Sequence, residues 1–195
     1  MENTLLEKNP KIVLASASPR RKEIMQKMGL SFEIITSDAD ESLPDGTPPI
    51  EIAKMLSRRK AEAVSRLCGA NTIVIGSDTL LEFEGAPLGK PESEAHAVAM
   101  LNSLSGKKHY VHTAITVIYE KKVLTDADST AVFMKPFSEK EVKDYVATGE
   151  CMDKAGSYAI QGLGGALVDR IEGEYDTVVG LTSSLLSKMI AEILK

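Results

Sequence analysis

The stretch 11–30, KIVLASASPRRKEIMQKMGL, constrains the fold most, because it predicts a strand followed at once by a helix. Its first five residues are largely apolar, as in a strand. Ser18 offers a hydroxyl as an N-cap, and Pro19 suits the first helical position. Arg20 and Arg21 then lie in the first turn, where the helix dipole disfavours cations. Two guanidiniums at this place indicate either a bound anion such as phosphate or arginines that face water.

The rest of the chain predicts further strands and helices around a long hairpin. The expected strands are 32–35, 72–75, 80–83, 86–88, 110–119, 123–133, 158–160 and 167–171, and the expected helices are 50–67, 93–104, 138–146 and 182–194. A central hairpin argues for an α/β fold with a mixed sheet and flanking helices, and against a regular parallel doubly wound sheet. Because no Pro/Ser linker divides the chain, we expect a single domain over 1–195, with two lobes sharing a cleft as a possible form.

Composition excludes several classes of function. A net charge of −5 argues against a broad nucleic-acid-binding face, so any basic groups that matter are local. Residues 1–10 lack the apolar core of a signal peptide, and no run reaches the length of a membrane span, so we expect a cytoplasmic protein. Cys68 and Cys151 have no metal-type spacing and are expected to be reduced packing residues. The three histidines predict no metal site.

Charged and polar residues collect at several turns. Asp78 follows the apolar strand 72–75, a position that suits holding a metal ion or orienting water, although an aspartate that caps a turn is also common there. Thr79 beside it either caps or touches a ligand. Lys60 lies in the second helix, and Lys90 stands between Gly89 and Pro91, which fix its backbone; each is otherwise a solvated lysine.

The acidic run at 38–42, Asp-Ala-Asp-Glu-Ser, has two functional interpretations. It is similar to the start of the motif of haloacid-dehalogenase-type phosphatases, in which the first aspartate is the nucleophile. The preceding strand is the second one along the chain and is not long and apolar, and no downstream acidic pair follows to hold Mg²⁺. An acidic loop that faces a metal is therefore favoured, with a solvated loop as the alternative.

The segment 153–165, DKAGSYAIQGLGG, is rich in glycine but matches neither a Walker P-loop nor a GxGxxG turn. Glycines here indicate that the backbone closely approaches either a ligand or another segment. Gln161 among them carries an amide that donates and accepts hydrogen bonds at once, as recognition of a nucleobase edge requires.

Together these motifs resemble the Maf family of nucleoside triphosphate pyrophosphatases. The resemblance runs from about residue 11 to residue 181. It rests on LASASPRR at 14–21, Glu41, Lys60, GSDT at 76–79, GKP at 89–91 and the 153–165 segment. Ser77 stands where many members carry alanine, a small change.

The resemblance implies an elongated mixed sheet in two lobes around a central cleft, similar to that of inosine-triphosphate pyrophosphatases. It implies hydrolysis of a nucleoside triphosphate to the monophosphate and pyrophosphate, with Asp78 as the catalytic proton acceptor. Arg20, Thr79 and Gln161 match the branch that acts on dTTP and UTP. A divalent metal, commonly Mg²⁺ with Mn²⁺ as another possibility, a homodimer and a link to septum formation in cell division are further expectations.

The chemistry of the residues agrees with these expectations. Glu41 and Asp78 offer carboxylates to a metal, and the phosphates would meet five donors: Ser16, Ser18, Arg21, Lys60 and Lys90. We expect a nucleoside triphosphate as the partner, with neither a membrane nor a stably bound nucleic acid. A nucleotide-sensing protein that acts in cell division through partners is the alternative from another class, and a phosphatase is a third reading.

Overall fold

The computed structural model describes residues 10–36, 38–44 and 46–195. Ser37 and Asp45, at the ends of the acidic loop, lie outside the described residues. So does the segment 1–9, for which the sequence predicted no signal core. The elements in chain order are β1 (Lys11–Leu14), α1 (Pro19–Lys27), β2 (Glu33–Ile34), α2 (Pro49–Ser65), β3 (Thr72–Phe83), β4 (Ala86–Leu88), α3 (Glu94–Leu104), β5 (Lys108–Tyr119), β6 (Lys122–Met134), α4 (Glu139–Val146), two 3-10 helices (Ala155–Ser157 and Leu163–Leu167), β7 (Val168–Glu172), α5 (Tyr175–Val179) and α6 (Ser183–Ile193).

The strands form one mixed sheet of seven, which confirms the predicted fold class. Their order is β2-β1-β3-β5-β6-β7, with β4 paired to β3. The pairs that involve β1 are parallel, and the pairs from β3 onward are antiparallel. The central hairpin of β5 and β6 exists as expected: the two strands pair along their length, and the Glu120–Lys121 turn joins them.

The long strands β3 and β5 run through two hydrophobic cores. Ile75 and Ile115 lie in one core, which α1 and α6 cover, whereas Leu81 and Val111 lie in the other, which α3 and α4 cover. A third, smaller cluster joins α2 to the sheet. The two lobes are therefore two halves of one sheet, and the polar residues between the cores mark the junction.

Asp78 lies within β3 and not beyond the end of a strand, so the predicted strand end at Ile75 is wrong. One edge of β3 pairs with β5 along its length. On the other edge, β1 stops opposite Ile75, and β4 pairs with β3 only over Leu81–Phe83. Among the described residues no strand pairs with that edge over 76–80. Asp78 thus reaches an open sheet edge because the neighbouring strand ends, not because its own does.

Two further local expectations are wrong, and one helix was not predicted. No strand forms at 158–160; the segment runs as turns between the two 3-10 helices. Helix α5, just before Gly180, was not expected at all. Ser18 does occupy the N-cap position of α1, but its side chain caps nothing, and its backbone N–H donates to Ser16 Oγ at 3.2 Å. Local propensity does not reveal these features because distant packing determines them.

Other local signals are confirmed. Pro19 begins α1, and Ser138 with Glu141 forms the complete predicted capping box of α4. Glu84 and Gly85, both with positive φ, make the hairpin turn between β3 and β4. None of the helices in the described part of the chain is long and apolar enough to cross a membrane.

Candidate active site

A cleft opens at the junction of the two cores. Its walls come from the first turn of α1, the middle of β3 and β5, the segment 153–161 and the end of α5. The lining residues are Ser18, Arg20, Arg21, Thr79, Leu81, Lys90, Val111, Asp153, Lys154, Ala155, Tyr158, Ala159, Ile160, Gln161, Val178, Val179 and Gly180. The cleft therefore brings together six of the residues that the sequence predicted for binding.

Arg21 is tied into the wall of this cleft by three hydrogen bonds. Its Nη1 donates to Ser16 Oγ at 3.0 Å, its Nη2 to Thr79 Oγ1 at 3.3 Å, and its Nε to the carbonyl oxygen of Gly180 at 2.9 Å. Burial lowers the pKa of the Arg21 guanidinium, and the Asp78 carboxylate opposes that shift. The group stays charged, since arginine is not deprotonated in proteins.

Gly180 is a residue of this site that the sequence did not single out. Its carbonyl oxygen also accepts from Ser77 Oγ at 3.1 Å, so one backbone group holds both α1 and β3. Its φ of 126° lies where side chains are rarely tolerated. In the sequence, the signal that could have indicated this residue is a single glycine directly after the apolar pair Val178 and Val179.

A second group of charges lies beside the cleft, on the open edge of β3. Lys60 Nζ is 2.5 Å from Asp78 Oδ1 and 3.0 Å from Glu41 Oε1. Asp78 is buried and Lys60 half-buried, whereas 63% of the Glu41 side chain is exposed. One ammonium therefore bridges two carboxylates, which leaves the group with an excess of negative charge.

The close approach of α2 to β3 places Lys60 within reach of Asp78. A Cβ on Gly76 would overlap the Ser57 carbonyl oxygen and lie 2.8 Å from the Cβ of Ala61. Only glycine fits there, so the glycine two residues before Asp78 sets the spacing between helix and strand. Ser57 Oγ adds a bond of 2.9 Å to Thr116 Oγ1 on β5.

Arg59 holds the acidic loop near Lys60. Its Nη1 donates to the carbonyl oxygens of Asp40 and Ser42, at 3.0 and 2.5 Å, on either side of Glu41. The carboxylate of Asp40 accepts from the Ser42 hydroxyl and backbone N–H, and these bonds lower its pKa. Asp40 is thus engaged within its own turn, an arrangement typical of an aspartate that shapes a loop.

Lys90 reaches the cleft from the loop after β4. The carbonyl oxygen of Gly89 accepts from the N–H of Gly156 at 3.0 Å, which ties this loop to the 3-10 helix. Lys154 also lines the cleft and is ion-paired with Asp153. The sequence included these two residues within a glycine-rich segment but did not identify Lys154 as a cation of the site.

Tyr158 lines the cleft and rests on a buried histidine. Its hydroxyl is 2.8 Å from His109 Nε2, and burial lowers the pKa of His109 to about 4, so this histidine is neutral near pH 7. His112, on the other face of β5, lies between Ser129 Oγ at 2.7 Å and Glu82 Oε2 at 3.0 Å. Both histidines therefore make side-chain hydrogen bonds from β5.

The predicted site residues thus fall into two adjoining groups. Ser18, Arg20, Arg21, Thr79, Lys90 and Gln161 line the cleft, and Glu41, Lys60 and Asp78 form the charged group beside it, while the buried Ser16 joins them through Arg21. Within the described ranges there is no cluster of three or more His, Cys, Asp or Glu side chains placed to hold a metal. Glu41 and Asp78 are two carboxylates, a donor set that suits Mg²⁺ when a substrate supplies the other oxygens.

Comparisons of this chain with known proteins identify its family. The family described as Maf-like protein matches residues 11–193, and the chain belongs to that family. Among its relatives, the dTTP/UTP pyrophosphatase of Clostridium perfringens (strain SM101 / Type A) is 45% identical over 92% of this chain and 95% of its own length. The proteins of the same name from Bacillus cereus (strain AH820) and Caldicellulosiruptor saccharolyticus are 43% and 39% identical, over 94% of both chains in each case.

Solved structures give a more distant likeness. The dITP/XTP pyrophosphatase of Mycobacterium abscessus is 13% identical over 93% of both chains, with a TM-score of 0.44. The Staphylococcus aureus Ham1 protein is 19% identical over 64% of this chain and 71% of that chain, with a TM-score of 0.43. At these scores neither carries an argument, and the fold rests on the strand order described above.

Replacing Gly180 tests its role in the wall of the cleft. In Gly180→Ala the side chain would force an unfavourable φ, and its Cβ would lie 3.3 Å from Thr79 Oγ1. We expect the free energy of unfolding to fall by about 1–3 kcal/mol, measured by urea denaturation. Gly69→Ala is the control, because nothing lies within 4 Å of a Cβ there and its φ is ordinary. Equal stability of the two variants would show that Gly180 is not required.

Proposed function

We propose that this protein hydrolyses dTTP and UTP to the nucleoside monophosphate and pyrophosphate. The observation that carries the proposal is the side-by-side placement of the two groups: a cationic cleft that includes Arg20, Thr79 and Gln161, and the Asp78–Lys60–Glu41 group on the open edge of β3. Relatives 39–45% identical over nearly the whole chain bear the name dTTP/UTP pyrophosphatase, which supports the same substrates.

Asp78 accepts the proton of the attacking water in this mechanism. It is a buried carboxylate on an open sheet edge, and the Lys60 ammonium at 2.5 Å fixes its orientation. A general base must lie within hydrogen-bond reach of the proton it takes, and a fixed carboxylate meets that need at low entropic cost. Glu41 on the other side of Lys60 completes the group.

Cations of the cleft stabilise the negative charge of the triphosphate and of the pyrophosphate that leaves. Lys90 and Lys154 line the cleft, and so does Ser18, at the N-terminus of α1, where free backbone N–H groups favour an anion. Arg21 has three of its donors engaged by the protein, so its contribution is a fixed positive charge in the wall more than a flexible contact. Charge that is already oriented needs no reorganisation during the reaction.

A divalent metal fits beside this group, and we propose that Asp78 and Glu41 would hold it. Mg²⁺ prefers oxygen ligands and is often bound by one or two carboxylates together with substrate phosphates. When bound, such an ion supplies a Lewis acid for the phosphoryl oxygens and lowers the pKa of a water molecule. Lys60 then neutralises the remaining carboxylate charge.

Arg20 and Gln161 distinguish the bases. Uracil and thymine present an acceptor at O4 and a donor at N3, and cytosine reverses both. The Gln161 amide is able to satisfy either pattern by turning over, but the Arg20 guanidinium only donates and so demands an acceptor. Both side chains line the cleft, which makes a joint contact with one base possible.

Identification of the products tests the proposed function. With UTP or dTTP and Mg²⁺, we expect the monophosphate and pyrophosphate in one step, separated by ion-exchange chromatography, and no turnover after EDTA is added. Orthophosphate with accumulating diphosphate would instead indicate a phosphatase. Tight nucleotide binding without any product would indicate a nucleotide sensor.

The substitution Asp78→Asn tests the base. It keeps the size of the side chain but removes the proton acceptor, so kcat should fall at least about 100-fold while the protein stays folded by circular dichroism. Asp144→Asn is a matched control, because Asp144 is exposed on α4 and pairs with Lys140 in the same helix. Near-normal turnover by folded Asp78→Asn would exclude Asp78 as the base.

Comparison of UTP with CTP tests the base-reading residues, because the two nucleotides differ only in their pyrimidine edge. We expect kcat/KM for UTP to exceed that for CTP by at least about tenfold, the effect of one mismatched hydrogen bond. Gln161→Ala should shrink this ratio, mainly by slowing UTP. Equal use of CTP and UTP by the unmodified protein would show that Arg20 and Gln161 do not read the base, even if pyrophosphate is still the product.

A further inference from the structure

The carboxylate of Glu150 lies under the loop that carries Gln161. Glu150 follows α4 by four residues, and its two oxygens accept three hydrogen bonds. Oε1 accepts from the N–H of Leu163 at 3.0 Å, and Oε2 accepts from the N–H of Gly164 at 3.0 Å and from the hydroxyl of Tyr145 at 2.9 Å. Bonds to an ionised acceptor are stronger than neutral ones. Burial raises the pKa of Glu150, but these donors outweigh it and lower the pKa overall.

Tyr145 extends the same contact to the other side of Gln161. Tyr145 belongs to α4, and its ring is buried in the core that α3 and α4 cover. Its hydroxyl accepts a hydrogen bond from the N–H of Ala159 at 3.1 Å and donates one to Glu150. The backbone is therefore held two residues before Gln161 and two residues after it. The side chain of Gln161 itself is left to line the cleft.

The glycines of the loop fit against this pair. A Cβ on Gly162 would overlap the Glu150 carboxylate, and a Cβ on Gly164 would lie 2.6 Å from the Tyr145 hydroxyl oxygen. The sequence left open whether these glycines approach a ligand or another segment. Here they approach Glu150 and Tyr145, so the shape of the loop depends on the two side chains beneath it.

We propose that Glu150 and Tyr145 are positioning residues, which hold the 159–164 loop so that Gln161 meets the base, and that they thereby set the preference for uracil and thymine over cytosine. The inference rests on the proposed function, because it concerns the residue that reads the base. Neither Glu150 nor Tyr145 lines the cleft, so both act through Gln161.

The selectivity test uses Glu150→Gln and Tyr145→Phe, each nearly isosteric with the native residue. In Glu150→Gln the side chain loses its negative charge, and the NH2 of the new amide faces backbone N–H groups that need an acceptor. In Tyr145→Phe the hydroxyl that links Ala159 to Glu150 is lost. We expect the UTP/CTP ratio of kcat/KM to fall at least threefold in each variant, mainly through a higher KM for UTP. A purely structural role would slow both nucleotides equally and leave the ratio unchanged, which would overturn the proposal.

Glu141→Gln on α4 is the matched control for Glu150→Gln. Glu141 is exposed and closes the capping box with Ser138, a role that glutamine also fulfils. Like Glu150→Gln, this substitution removes one negative charge, but it does not touch the 159–164 loop, so its UTP/CTP ratio should stay within twofold of that of the unmodified protein. A change as large as that in Glu150→Gln would assign the effect to charge alone and overturn the proposal.

A double substitution tests whether Glu150 acts through Gln161. In the Gln161→Ala background there is no amide left to position, so adding Glu150→Gln should change the UTP/CTP ratio by less than twofold. Such non-additivity is expected only of residues that act as a unit. A full, additive effect in the double variant would show that Glu150 affects selectivity by another route.

Hydrogen exchange of the backbone tests the contact independently of activity. In ligand-free protein, Glu150→Gln should speed exchange of the Leu163 and Gly164 amides at least tenfold, and Tyr145→Phe should do the same for Ala159, with the β5–β6 hairpin unchanged. Unaltered exchange would overturn the proposal. If the unmodified protein hydrolyses neither UTP nor dTTP, the proposed function and the selectivity role both fail, while the exchange measurement still decides whether this pair holds the loop.

Discussion

The half-buried guanidinium of Arg21 makes the hydrogen bonds on which the site depends. Partial burial of a charged group is costly unless its donors are satisfied, and here three nitrogens find oxygen partners on separate parts of the chain. One partner is Ser16 after β1, one is Thr79 in β3, and one is the carbonyl of Gly180 beyond α5. A single side chain therefore fixes the relative positions of three segments that converge at the junction of the two cores.

This anchoring separates the roles of two neighbouring arginines. Arg20 and Arg21 are adjacent in the first turn of α1 and point about 100° apart around the helix, since an α-helix has 3.6 residues per turn. Arg21 turns toward the sheet and is held there, whereas Arg20 lines the cleft beside Lys154 and Asp153. The helix dipole disfavours both positive charges. Protein oxygens stabilise the charge of Arg21, and the nucleotide that is proposed to bind stabilises that of Arg20.

The charged group on β3 depends on a second constraint, the close packing of α2. Because Gly76 has no side chain, the helix lies near enough for Lys60 to reach Asp78, and Arg59 on the same helix holds the loop that carries Glu41. Residues from three separate segments meet at an edge of the sheet that β1 leaves open. Helix, strand and loop each supply one charge, which is why no short motif contains the whole group.

The sequence by itself determined the mixed sheet, the central hairpin, the capping of α4 and the types of residue at the site, because apolar periodicity, capping boxes and turn residues are local signals. It identified Asp78 but placed it at the end of a strand. Asp78 lies within β3, beside the point where the neighbouring strand β1 ends, and strand pairing of this kind is not visible in the local sequence. Only the tertiary structure decided that Gly180 anchors Arg21, that Gly162 faces Glu150 and that Gly164 faces Tyr145. Those contacts join residues far apart or hidden in loops, where packing rather than local propensity sets the backbone.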